Sequence, residues 1–242
     1  MFGAISAVGD AHSGADNTDN GAGVTGPTAT LTPVTSQAGD LILCWMVYRA
    51  DSKTWTISDA AGQNWHRYPT QQSNASTSVS AALFWCIFNG TWGGSGAPIF
   101  TVTSGTSGVN LLMTVLRGVD NAYPLDELPT FGFDDVAGST LATGAYSTLV
   151  DGCWALFFGA SRDDNTWTVD NTFVTFSGAG NIYWRELSGS DNSIAWCKKT
   201  ITSAGAVGVT TLTQASLGAD GGAKVYFAVR PATAARRGAT VS

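Results

Sequence analysis

Apolar, aromatic and β-branched residues come in short runs along nearly the whole chain, separated by clusters of Gly, Ser, Asn and Asp. That rhythm predicts strands bounded by turns. The runs place strands at about 2–8, 28–34, 40–49, 54–58, 79–88, 97–103 and 109–117. A second set falls at about 145–148, 152–160, 166–169, 172–176, 181–187, 193–201, 207–213 and 223–230. Helical periodicity is nearly absent. The best helical chances are a turn near Leu125–Leu128 and the Ala-rich tail. The longest apolar runs, Leu41–Tyr48, Leu111–Leu116 and Trp154–Phe158, do not alternate with polar residues. They predict strands apolar on both faces, the outer face covered by a loop or by a neighbouring subunit.

The runs also recur in order. Asp40-LILCWMVYRADSKTWTISD is matched by Asp151-GCWALFFGASRDDNTWTVD. SVSAALFWCIFNG is matched by NSIAWCKKTITSAG, and a third block ends in Val-Leu-Arg-Gly (115–118) in one copy and Ala-Val-Arg-Pro (228–231) in the other. A unit of about four strands cannot bury its apolar face alone, so two units are expected to face each other across one core. The predicted fold is all-β, a jelly-roll-like antiparallel β-sandwich with an internal pseudo-two-fold repeat. An N-terminal strand and glycine-rich loop (1–27) precede a single sandwich (28–231) of two related halves, about 28–120 and 145–231. A C-terminal arm follows (232–242). Asn121–Ala145, with two prolines and three glycines, is expected to link the halves. Trp55 and Trp167 are expected at equivalent core-capping positions.

The stretches Q-A-G-D-L-I-L (37–43), T-W-T (54–56), L-R-G-V-D-N-A-Y-P-L-D (116–126), T-W-T-V (166–169) and A-V-R-P (228–231) carry a resemblance. Together they resemble a duplicated β-sandwich family found in tailed-bacteriophage structural modules and in some bacterial surface proteins. The resemblance spans about residues 28–231. In the second copy Asp151-Gly-Cys replaces the fuller A-G-D-L start. The resemblance implies a structural role in a virion or on a surface, and it supplies no catalytic residues.

Composition narrows the classes. Charged residues make up 12% of the 242-residue chain, against about a quarter in an ordinary globular protein. Sixteen Asp stand against two Glu (Glu127, Glu186), and there are only four Lys. Helical bundles need long straight-chain charged residues on their surfaces, so this composition excludes them. The formal net charge of −6 and the scattered basic residues argue against a nucleic-acid groove. No run approaches the length of a membrane-spanning helix. The first residues lack the basic and apolar regions of a secretory signal, which predicts synthesis in the host cytoplasm. Cys44, Cys86, Cys153 and Cys197 each sit inside an apolar run, with no C-x-x-C pair, and read as reduced core thiols.

Candidate chemistry is sparse. His12 and His66 are the only histidines, and no G-x-S-x-G elbow occurs, so a Ser-His-Asp triad has few possible parts. Glycoside hydrolysis would draw on Glu127, Glu186 or the cluster Asp126, Asp134, Asp135. The abundance of Asp fits turn formation better. Gly21-Ala-Gly23-Val-Thr-Gly26 matches a phosphate-loop pattern but runs into Pro27 rather than a helix. Asp16–Gly21 and Asp163–Asn165 offer at most a loose oxygen site for calcium. No cofactor is expected. Among nine tryptophans, Trp92 falls in a Gly-rich loop outside the predicted strands, which makes it the candidate for a glycan or subunit contact. Arg236 and Arg237 are candidates for a contact with a neighbouring subunit.

These readings, with the resemblance, lead to one expectation. The chain is a non-enzymatic bacteriophage virion structural protein that decorates or cements the capsid or attaches to the tail. Its partners would be major capsid or tail proteins in a symmetric multi-copy assembly, with neither nucleic acid nor membrane. The alternative is a carbohydrate- or receptor-binding module of a tail fibre or surface adhesin. A glycan-cleaving enzyme acting through Glu127 or Glu186 stands third.

Overall fold

The computed structural model describes residues 4–12, 24–25, 28–30, 35–49, 53–59, 61–74, 79–92, 98–102, 108–134, 140–162, 166–170, 173, 183–187, 192–214 and 220–232. In the first half these form β1 (Ser6–His12), β2 (Val24–Thr25), β3 (Thr28–Thr30), β4 (Leu41–Tyr48), β5 (Trp55–Ser58), β6 (His66–Asn74), β7 (Val79–Ile87), β8 (Ile99–Val102) and β9 (Gly108–Arg117). The second half contains β10 (Leu125–Asp134), β11 (Thr140–Ala142), β12 (Ser147–Thr148), β13 (Cys153–Ser161), β14 (Trp167–Val169) and β15 (Tyr183–Leu187). It closes with β16 (Asn192–Ile201), β17 (Gly205–Ala206), β18 (Thr211–Gln214) and β19 (Gly222–Val229). The described residues contain no helix, and their ladders are antiparallel.

The first large sheet runs β1-β9-β4-β7-β6, and the second runs β10-β19-β13-β16-β15. Each has a smaller companion, β3-β8-β5 for the first and β11-β18-β14 for the second. The two paths share one connectivity. From β3 to β9 and from β13 to β19 the chain passes back and forth between the large and small sheets, except at the hairpins β6–β7 and β15–β16 and at β17, which pairs with β12 apart from both. That crossing pattern is jelly-roll-like. The three recurring sequence blocks fall on β4–β5, β7 and β8–β9 in the first half and on β13–β14, β16 and β18–β19 in the second.

The burial pattern shows how the sheets stack. Side chains of successive strand residues point to opposite faces. Leu41, Leu43, Trp45 and Val47 face a central cluster shared with Trp154, Leu156, Phe158, Ala160, Trp196, Val225 and Phe227 of the second half. Ile42, Cys44, Met46 and Tyr48, on the other face of β4, join Trp55, Phe84, Phe100 and Val102 in a second cluster. Cys153, Ala155 and Phe157 join Trp167, Phe173 and Leu212 in a third. The molecule is therefore four layers deep: a small sheet, two large sheets face to face, and a small sheet. The single core expected between the halves is three. The unbroken apolar run of β4 is covered outside by this chain's own three-stranded sheet, not by a loop or a neighbour.

Trp55 and Trp167 occupy matching places, each opening the edge strand of its small sheet and fully buried. Trp167 Nε1 donates to Ser193 Oγ at 2.9 Å. Two other expectations are corrected. Leu125–Leu128 is not a helical turn, and Asn121–Ala145 is more than a link. Leu125–Asp134 is the edge strand of the second sheet, laddered to β19 from Leu125↔Val229 to Asp134↔Gly222. Pro129 falls inside the register shift between Glu127 and Thr130, where an absent amide proton is tolerated. Likewise the strand placed at 207–213 is shorter and later, at Thr211–Gln214. The Ala-rich tail lies outside the described residues.

Candidate functional site

The junction of the halves is the most elaborately bonded part of the molecule. Arg117 ends β9 and grips Asp40 with two hydrogen bonds, Nε to Oδ1 at 2.9 Å and Nη2 to Oδ2 at 2.8 Å. Asp40 is buried, and Oδ2 also accepts from the amide of Gln37 at 2.9 Å. The bond to Asp40 pushes the Arg117 guanidinium pKa up. The next residue, Gly118, has φ +79, and a Cβ there would stand 2.5 Å from the carbonyl oxygen of Ala4. Only glycine suits both conditions. Asp120 then accepts from the amides of Ala122 and Tyr123 at 2.9 and 3.1 Å, holding the turn into β10.

The second half ends against this turn. The amide of Arg230 donates to Pro124 O at 2.9 Å, and the amide of Asp120 donates to Arg230 O at 3.0 Å. Ala232 N donates to Gly118 O at 2.7 Å. The Arg230 side chain donates to Asp126 Oδ1 from Nε at 3.1 Å and Nη2 at 3.0 Å. Asp126 Oδ2 accepts from the amide of Leu149 at 2.6 Å. Backbone bonds between 118–120 and 230–232 thus tie the ends of the two halves together, while each arginine–aspartate pair braces its own half beside them.

The candidate acids do not converge. Asp126 is committed to Arg230. Asp134 lies 3.9 Å from Lys224 Nζ at the far end of β10. Glu127 pairs with Ala228 in the ladder and Glu186 with Ser193, on different strands of the second sheet. His12 pairs with Leu112 at the end of β1. No group of three or more potential metal ligands occurs among the described residues. Asp135, Asp16–Gly21, Asp163–Asn165, Arg236 and Arg237 lie outside the described residues.

Trp92 is half-buried. Its ring packs on Phe88 with centroids 4.6 Å apart, at the margin of the first half's outer core. Beside it Gln63 and Asn89 bond to each other and to backbone, Gln63 Nε2 to Asn89 Oδ1 at 2.8 Å and Asn89 N to Gln63 Oε1 at 2.9 Å. The four cysteines are buried and unbridged. Burial pushes the thiols of Cys44, Cys86 and Cys197 well up, and that of Cys153 to about 12, with the field of Asp126 adding to the last. Iodoacetamide at neutral pH is therefore expected to modify none of them in the native chain and all four after denaturation, counted by mass spectrometry. Above pH about 9 the unfolded chain releases thiol protons that the folded chain retains, so stability falls as pH rises. The stability gap between the parent and Cys197→Ala should narrow from pH 8 to 10.5; a constant gap would contradict the assignment.

One feature escaped sequence reasoning. At the end of the β6–β7 hairpin, a groove of about 370 Å³ is lined by Asn64, His66, Trp85, Ile87, Asn121 and Pro124 among others. It lies where the first large sheet meets the junction turn. A shallower hollow of about 290 Å³ adjoins it around Val119–Ala122 and Ala232. Lys198 Nζ sits 3.4 Å over the ring of Trp154, a member of the central core. No known protein-family model matches this chain, and no curated protein matches it in sequence.

Proposed function

We propose that this chain is a non-enzymatic structural component of a bacteriophage particle, decorating or cementing the capsid or attached to the tail. The observation that carries this reading is the use made of its most distinctive motif. The charged residues in the stretches that carry the resemblance to phage structural modules are Asp40, Arg117, Asp120, Asp126 and Arg230. Each is bonded within the molecule: Asp40 with Arg117 in the first half, Asp126 with Arg230 in the second, and Asp120 with the amides of the turn between them. Charge is placed to hold a shape and does not gather in a cleft. A rigid four-layer body with few charged residues suits a part that meets other proteins over broad faces, since interface centres are poor in charge.

The test is stoichiometry. Particles of the phage whose genome encodes the chain are purified, and the chain is quantified by mass spectrometry against the major capsid protein. A fixed copy number that matches a symmetry of the head or tail is expected. Absence from purified particles, or a variable trace, overturns the proposal.

A further inference from the structure

His66 and Trp85 sit directly opposite each other in the β6–β7 ladder. Facing residues on one side of a sheet meet side chain to side chain. The two rings accordingly stack, with centroids 4.2 Å apart and planes inclined by 21°. Trp85 is half-buried against the central core, which fixes the platform, while His66 is exposed. Asn64 Nδ2 lies 3.3 Å from His66 Nε2, so an amide borders the ring. Asn121 stands across the groove. In the orientation that satisfies its amide it donates to Gly39 O at 2.8 Å and Val119 O at 3.1 Å. Its position is thus set by backbone rather than by a ligand. Ile87 and the buried Pro124 supply apolar wall.

Among the described residues, none that lines the groove is Asp, Glu, Lys or Arg. A phosphate or a uronic acid would find neither lysine nor arginine among them, and the net negative charge of the chain disfavours it. The combination on offer is a ring face, an apolar wall and uncharged amides, in a volume within the usual range of about 300–1,000 Å³ for small-ligand sites. A neutral sugar ring presents the matching surface, with C–H bonds on one face and hydroxyls around its edge. We propose that this groove binds a neutral pyranose unit of a glycan. The proposal goes beyond the structural role and does not depend on it.

The test offers methyl glycosides of glucose, galactose, mannose and N-acetylglucosamine separately to the full chain, with adenosine as a planar competitor, and reads saturation-transfer NMR. At least one glycoside is expected to receive saturation, with a dissociation constant of about millimolar order. His66→Ala removes an exposed ring and should leave the melting temperature unchanged while weakening binding about tenfold or more, a loss of about 1.4 kcal/mol. Asn64→Ala should weaken it severalfold. The proposal is overturned by no transfer to any of the four glycosides, by transfer that survives His66→Ala, or by transfer to adenosine alone.

Discussion

Trp45→Ala is expected to lower the unfolding free energy by about 3–5 kcal/mol, the range for truncating a large buried aromatic. Trp45 is wholly buried on β4, on the face that meets the second half. Its ring centroid lies 5.5 Å from that of Phe131 and 6.1 Å from that of Phe158, both in the second half. Its Nε1 donates to Gly159 O at 3.2 Å, a bond across the central layer. Alanine would leave a cavity between two rigid sheets that have few means of closing over it. Trp45→Phe keeps most of the volume and removes only the hydrogen bond, so it should cost about 1–2 kcal/mol. Urea denaturation followed by fluorescence and circular dichroism gives both values. A loss below about 1 kcal/mol for the alanine variant would mean that the halves do not depend on this contact.

Asp126→Ala is expected to cost about 3 kcal/mol, near the lower end for removing one member of a buried ion pair. The Asp126 carboxylate is fully enclosed, while the Arg230 side chain keeps 24% exposure, so solvent softens the loss on the arginine side. The variant strands that guanidinium and removes the acceptor of the Leu149 amide. Arg230→Ala should be at least as harmful, because it leaves the enclosed carboxylate without its cation. Joining Asp126→Leu with Arg230→Met should recover part of the loss, since apolar pairs of similar size often replace buried ion pairs without harm. If the double variant is no better than the worse single one, the pair is not a self-contained unit. Asp40→Ala at the other closure is expected to cost less, because the Arg117 side chain is 40% exposed.

The central strands were legible because burial on both faces leaves a continuous signal. Leu41–Tyr48 and Cys153–Ser161 are apolar at every or nearly every position and end at Asp, Gly or Arg. What covers them was not legible. The small sheets are built from strands of three or four residues, too short to show whether they belong to this chain's core or to a neighbour's. Edge strands were the other loss. His66–Asn74 reads HRYPTQQSN, polar and interrupted by proline, and its register shifts between Tyr68 and Gln72. An edge has one ladder partner and needs less apolar character. Leu125–Asp134 was hidden in the same way by Pro129.

The groove depended on the missed edge strand. Trp92 drew attention as a tryptophan in a loop, whereas Trp85 looked like an ordinary core residue of β7. Its stacking on His66 follows only from the pairing of β6 with β7, which composition does not reveal. The one available signal was the W-H-R-Y alternation at 65–68, weak because a proline follows.

Gly118 has a wider consequence. The carbonyl of Ala4, the first described residue, and the amide of Ala232, the last, both meet it. The first and last described residues are therefore neighbours on one side. A short linker joining the ends should permit circular permutation, with the chain reopened at a hairpin tip elsewhere.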